Sequence, residues 1–253
     1  MSTRPARSAF FPVAHAILLL IVLLGFMPSF LLRSLFPQPA VLDMPVLPGL
    51  FVVHGIILLL WYVLLLVQPM LIRSGRADLH RRLGLAGAAL AVAVMVSTVL
   101  MVLRFPTRMV ALSAERGVPV EELEPGLNMI LWLDLFMLLL FVGFFAAAMA
   151  QRNKPQAHKR YMFFAGVALV FAATGRIGGQ VSAALGMDVG IPLGLLIMLG
   201  LTTSLLVHDR TSLGRVTRTS WVCFGTYWVA TLLSMAAGMA DEGEAFTALL
   251  VAW

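Results

Sequence analysis

Seven apolar runs alternate with short polar turns along the chain, at about 10–32, 47–72, 79–103, 127–150, 157–178, 191–208 and 218–239. Each run is close to the roughly 20 residues a helix needs to cross the hydrocarbon core of a bilayer. A stretch this long must close its backbone hydrogen bonds internally, so the runs predict helices. The predicted fold is an all-α membrane protein, a bundle of seven transmembrane helices forming one domain over residues 1–253. In the sixth run, Pro192 fits the first helical turn, where its missing N–H costs nothing.

The stretch from His54 to Gly84, HGIILLLWYVLLLVQPMLIRSGRADLHRRLG, sets the pattern for the rest. An apolar helix carries a histidine near its start and a proline (Pro69) at its close. A basic hinge follows, and His80 opens the next helix. The hinge recurs: Arg76-x-x-x-His80-Arg81-Arg82 matches Lys154-x-x-x-His158-Lys159-Arg160, and small residues follow both. This similarity suggests that spans 2–3 and 4–5 are repeated hairpins of one orientation. Small residues at Gly84-x-x-x-Ala88 and Gly190-x-x-x-Gly194 mark places for close helix approach.

Between the spans, residues 33–46 hold Pro37, Pro39 and Pro45 and read as an extended loop. The longest connection, 104–126, carries Glu121, Glu122 and Glu124 and reads as an ordered cap or a short surface helix. The C-terminal DEGEAFTALLVAW is acidic and then apolar, a pattern suited to the membrane interface, with Trp253 as anchor.

Charge fixes an expected orientation. Arg4 and Arg7, the hinge residues Arg73, Arg76, Arg81 and Arg82, then Arg152, Lys154, Lys159 and Arg160, and finally Arg210, Arg215 and Arg218 all fall on one side of an alternating topology. These are 13 of the 18 Lys and Arg, so basic-side-inside predicts N-in and C-out. Arg4 and Arg7 ahead of an apolar core also look like a signal peptide. No small-x-small cleavage site follows, which predicts an uncleaved first span.

Composition agrees with a membrane protein. Only 12% of residues are charged and mean hydropathy is +0.96, too apolar for a water-exposed surface. The pI of about 10.4 does not signal nucleic acid, because the basic residues sit in short turns rather than on one soluble face. Cys223 is the single cysteine, which excludes a disulfide within the chain.

Ionisable and polar groups inside spans are the first candidates for function. His54 and Asp134 each lie seven residues in from the predicted outer end of a span, roughly 10 Å deep. Arg176 lies near the outer end of another. A carboxylate, an imidazole and a guanidinium at one depth can neutralise one another. His54, Trp61 and Gln68 are spaced by seven and share one helix face. Together these five residues predict an outward-facing intramembrane site for small-ligand binding or transport.

At the basic side, His80, His158, Arg81, Arg82, Lys159 and Arg160 form an anion or phospholipid-headgroup region. The alternative reading makes His80 and His158 a symmetric pair for b-type haem, or places quinone near them. No metal site is expected, because His54 and Asp134 are too few for zinc. His15 reads as interfacial. The third reading is a non-catalytic accessory subunit of a membrane complex, and a homo-oligomer fits the same pattern.

The basic-x-x-x-His-Arg-Arg-Leu-Gly hinge, the leading HG-x5-W at His54 and the HDRTSLGR of 208–215 resemble uncharacterised bacterial multi-pass inner-membrane proteins of the domain-of-unknown-function type. The resemblance covers spans 2 to 7. It implies a bacterial inner membrane and carries no activity. The histidine pair bears a thin resemblance to cytochrome b561-like haem bundles, which pair imidazoles from different spans.

Overall fold

The computed structural model describes residues 9–36, 47–104, 113, 114, 117 and 119–240, without side-chain detail over 120–127. Arg4, Arg7, most of the proline-bearing connections 33–46 and 104–119 and the acidic C-terminal segment lie outside the described residues. Helices are the only regular elements among the described residues: α1 (Phe10–Phe26), α2 (Gly49–Arg73), α3 (Ala77–Leu103), α4 (Val120–Ala150), α5 (Pro155–Leu185), α6 (Gly190–Leu213) and α7 (Arg218–Gly238). All seven contain a segment long and apolar enough to span a membrane, α1 together with the turn that follows it.

The boundaries depart from the sequence pattern where polar residues continue a helix. Pro69 lies inside α2, which runs on to Arg73. The Glu121–Glu124 segment belongs to the first turns of α4. α5 extends to Leu185 and ends at Gly186, whose φ of 65° is a left-handed conformation that glycine adopts without strain. α6 ends the same way at Gly214.

α5 is the central post. It packs along α1, α4 and α6, and touches α2 and α7. Its side chains Phe163, Phe164, Val167, Ala168, Val170 and Ala173 are fully buried. The peripheral helices instead expose rows of large apolar groups, such as Val92, Val96 and Leu103 on α3. Apolar surface on the outside is what a bilayer solvates.

Because lipid tails are as apolar as leucine, helix association here rests on close packing and internal hydrogen bonds. Gly178 on α5 meets the backbone of Gly190 on α6 so closely that a Cβ would overlap it. Gly194 continues that seam against Thr174. The Gly190-x-x-x-Gly194 pair therefore lies at a helix contact. Gly84 does not: its position opens onto free space, and Gly87 is the α3 residue that meets Leu64. The direct side-chain bonds are few and well placed. Tyr62 Oη donates to the Gly166 carbonyl across α2 and α5 (2.9 Å), and Trp228 Nε1 donates to Thr202 Oγ1 across α7 and α6 (3.1 Å).

Replacing Gly178 by Leu should destabilise the bundle by about 1–3 kcal/mol, the usual cost of forcing volume into a filled contact. Neighbouring Gly179 faces open space, so Gly179→Leu is the matched control. Thermal unfolding of both variants in detergent should lower the Gly178→Leu midpoint alone.

Candidate functional site

The half of the bundle opposite the basic hinges holds a cavity of about 200 Å³ bordered by α1, α2, α3, α4 and α5. His54, Asp134 and Arg176 all line it, from α2, α4 and α5. Helix packing thus brings to one space three groups separated by 80 and 42 positions in sequence. Most of the remaining wall is apolar, with Phe26, Phe30, Phe51 and Met137 among its residues. Such a wall with a few convergent polar groups is the usual composition of a small-molecule site.

Each polar group is held in place. His54 Nδ1 lies 3.1 Å from Ser97 Oγ, and that hydroxyl is 3.1 Å from the Val94 carbonyl. With the Ser97 proton directed at Val94, Nδ1 of His54 carries the ring hydrogen and Nε2 is the acceptor. Arg176 donates from Nη1 to the Ala172 carbonyl (3.0 Å) and lies over the Phe26 ring at 4.3 Å, a cation–π contact. It is within electrostatic range of His54. Asp134 is half-buried and engaged by a partner.

The end of α1 builds one wall. After Phe26 the chain enters a π-helical turn, Met27–Leu31, which contains Pro28. Wide turns of this kind are frequent at functional sites. Ser29, Phe30 and Leu31 of this turn line the cavity, and the Phe30 ring fills the place a Cβ at Gly55 would need. Gly55 next to His54 thus has a structural reason. Gln180 on α5 ties the turn down by donating to the Gly25 carbonyl (3.2 Å).

Trp61 and Gln68 are absent from the cavity wall. Trp61 is 1% exposed and packs edge-on against Phe141 and Phe145 of α4, at 5.2 and 5.9 Å. Gln68 docks across the first two turns of α3; with its amide oriented to match its neighbours, it donates to the His80 Nδ1 and carbonyl (3.2 Å to the latter) and accepts from the Gly84 N–H at 3.1 Å. The heptad spacing put His54, Trp61 and Gln68 on one face, but α2 meets different neighbours along its length. Its cavity-lining residues follow a four-residue step instead, from His54 through Leu58 to Tyr62. Tyr62 and Thr98 are lining residues that the sequence pattern missed. For Tyr62 the available signal was a hydroxyl eight positions from His54; the sequence offered none for Thr98.

At the opposite end, the hinge residues divide. Arg81 and Arg82 are exposed, while His80, His158 and Lys159 are half-buried. His158 Nδ1 is 2.9 Å from the Ala148 carbonyl. Arg160 departs from the headgroup reading. It is 1% exposed, and the anion it meets is an internal one, Asp209 on α6, itself 0% exposed. The pair is bidentate: Nη2 bonds Oδ1, and Nε is 3.1 Å from Oδ2. Ser220 Oγ donates to Oδ2 (2.6 Å), the Thr217 N–H donates to it (3.1 Å), and Gln156 Oε1 accepts from Arg160 Nη1 (2.9 Å). Three helices are locked by this network, and Thr217 also caps α7 by accepting from the Ser220 N–H (3.2 Å). The sequence concealed it because Asp209 sits within HDRTSLGR, a segment that reads as a surface turn. His15, read as interfacial, is also buried, its Nδ1 2.7 Å from the Phe11 carbonyl.

No protein-family model, curated protein or solved structure matches the chain. Among the described residues, no group of three or more His, Cys, Asp or Glu could hold a metal ion.

Removing one partner of a buried ion pair strands the other in an apolar interior, at a cost of about 3–5 kcal/mol. Asp209→Leu should therefore lower the unfolding midpoint sharply. The Arg160→Met/Asp209→Leu double variant should recover most of the loss. A double variant no more stable than Asp209→Leu would mean that the pair is not the source.

Proposed function

We propose that this multi-pass membrane protein binds a small amphipathic molecule in the cavity lined by His54, Asp134 and Arg176, as a ligand receptor or a step in its transport. One observation carries the reading: three ionisable side chains from three helices line a single, mostly apolar space. Polar residues at membrane depth are costly and tend to mark sites and pathways. The ligand's apolar body suits the Phe26, Phe30, Phe51 and Met137 walls. Its polar end would face the imidazole and the two charged side chains, Asp134 and Arg176. At about 200 Å³ the space is below the roughly 300–1,000 Å³ of drug-sized pockets, which favours a small molecule or one end of a longer one. In the proposed topology, N-in and C-out in a bacterial inner membrane, this cavity lies on the outer side. The exposed Arg81 and Arg82, with His80 and His158, then meet anionic lipid headgroups on the inner side.

The test is to extract the small molecules retained by the detergent-purified protein and identify them by mass spectrometry. A molecule retained by the parent protein should be depleted about ten- to a hundredfold in His54→Ala and Asp134→Ala, the effect of losing a hydrogen bond that involves a charged group. Both variants should still insert and fold. Equal retention by all three proteins would exclude this site.

A second reading has its own observation. His80 and His158 lie within electrostatic range of each other, and each has Nδ1 engaged, by Gln68 and by the Ala148 carbonyl. The His158 ring, with Nδ1 donating to the Ala148 carbonyl, leaves Nε2 free as an axial haem ligand requires, whereas His80, whose Nδ1 accepts from Gln68, would have to turn its ring to supply the second ligand. An absorption spectrum before and after dithionite tests it. A Soret band that shifts on reduction, and is lost in His80→Ala or His158→Ala, would establish a redox role. A colourless protein would exclude haem.

A further inference from the structure

A second cavity, of about 260 Å³, shares no lining residue with the first. It is a groove between α1 and α6, and both of these helices pack on α5. Val13 and Ile17 on α1 and Gly200, Leu201 and Ser204 on α6 line it, with Phe10 at one end. Val13 and Ile17 are 54% and 43% exposed, so the groove opens on the outside of the bundle, where acyl chains lie. A Cβ at Gly200 would meet nothing within 4 Å, so the glycine is not there for helix packing; it leaves the groove deep.

The Phe10 end of the groove is basic. The Phe10 ring stacks on the His208 imidazole at 4.2 Å with an interplanar angle of 6°. It also packs edge-on against Phe11 at 5.1 Å, and Lys159 Nζ sits 4.6 Å over the Phe11 ring. Lys159 forms no ion pair among the described residues, because the nearby Asp209 carboxylate is committed to Arg160. A half-buried, unmatched ammonium therefore stands two aromatic rings, Phe11 and Phe10, from the apolar groove.

We infer that the α1–α6 groove is a specific site for an anionic phospholipid, with one acyl chain along Val13, Ile17 and Gly200 and the phosphate at Lys159. Charge complementarity selects the occupant. A zwitterionic lipid brings its own cation to the ammonium, whereas an anionic headgroup completes the pair that the protein leaves open. The Phe10–His208 stack fixes the wall between chain and headgroup. The hydroxyl of Ser204 adds no competing polarity, since it donates to the Leu201 carbonyl at 2.6 Å. The site is separate from the cavity around His54, and neither depends on the other.

Native mass spectrometry of the detergent-purified full chain, titrated with phosphatidylglycerol or phosphatidylcholine of equal chain length, tests the site. One phosphatidylglycerol per chain should be retained in preference to phosphatidylcholine. Lys159→Gln should weaken phosphatidylglycerol retention about fivefold, the effect of one basic residue near an anionic headgroup, and leave phosphatidylcholine unchanged. Gly200→Leu fills the groove and should weaken both lipids without moving the lipid-free unfolding midpoint. Equal retention of the two lipids, or parental retention of phosphatidylglycerol by Lys159→Gln, would overturn the proposal. So would a dimer that Gly200→Leu dissociates, since the groove's occupant would then be a second copy of the chain. Should Gly200→Leu fail to fold, the Lys159→Gln comparison decides alone.

Discussion

In hydrocarbon there is no water to complete an open hydrogen bond, and every polar group in this bundle is placed under that constraint. The backbone meets it by being helical nearly throughout the spans. Several side chains meet it with short local bonds, Thr202, Thr231 and Ser234 all returning their hydroxyls to carbonyls three or four residues back, while the Trp61 Nε1 and Tyr227 Oη groups are buried without one. The buried arginine needs more. Arg160 finds a carboxylate, a hydroxyl and a glutamine from three helices, and in doing so fixes how α5, α6 and α7 meet at the basic end.

That lock leaves the two ends of the bundle unlike each other. At the basic end, Arg160 is matched internally by Asp209, Lys159 has no ion-pair partner among the described residues, and the rings of Phe10, Phe11 and His208 pack beside the groove between α1 and α6. At the other end, α1 gives up its regular geometry at the π-helical turn, Phe30 swings onto Gly55, and a space remains that His54, Asp134 and Arg176 share. A buried ion pair at one end and a cavity lined by ionisable groups at the other is the asymmetry on which the proposed ligand site rests. α5 connects them, since Arg160 and Arg176 stand sixteen residues apart on the same helix, roughly 24 Å along its axis.

Much of the cavity around His54 could be read from residue type and depth alone. Ionisable groups are rare enough in these spans that His54, Asp134 and Arg176 stood out, and their common depth argued for a common space. The failures share one cause. Trp61 and Gln68 were assigned by angle on an isolated helix, and angle says nothing about which neighbour a face meets at each level. Tyr62, Thr98 and Ser29 were overlooked because hydroxyl residues are unremarkable in a span until a cavity is seen beside them. Arg160 was grouped with its exposed hinge neighbours because, one residue from Lys159, it shares their sequence environment while turning inward.

By itself the sequence determined the number of helices, their approximate limits and their membrane character, since these depend on the length and apolarity of continuous runs. It also determined which few side chains would be expensive to bury. Only the tertiary structure decided which of those side chains meet. The pairing of Arg160 with Asp209, the cavity wall from Ser29 to Arg176 and the groove beside Gly200 each join residues far apart in the chain. Such joins depend on the packing of whole helices around α5, and no local pattern of hydrophobic and polar positions encodes them.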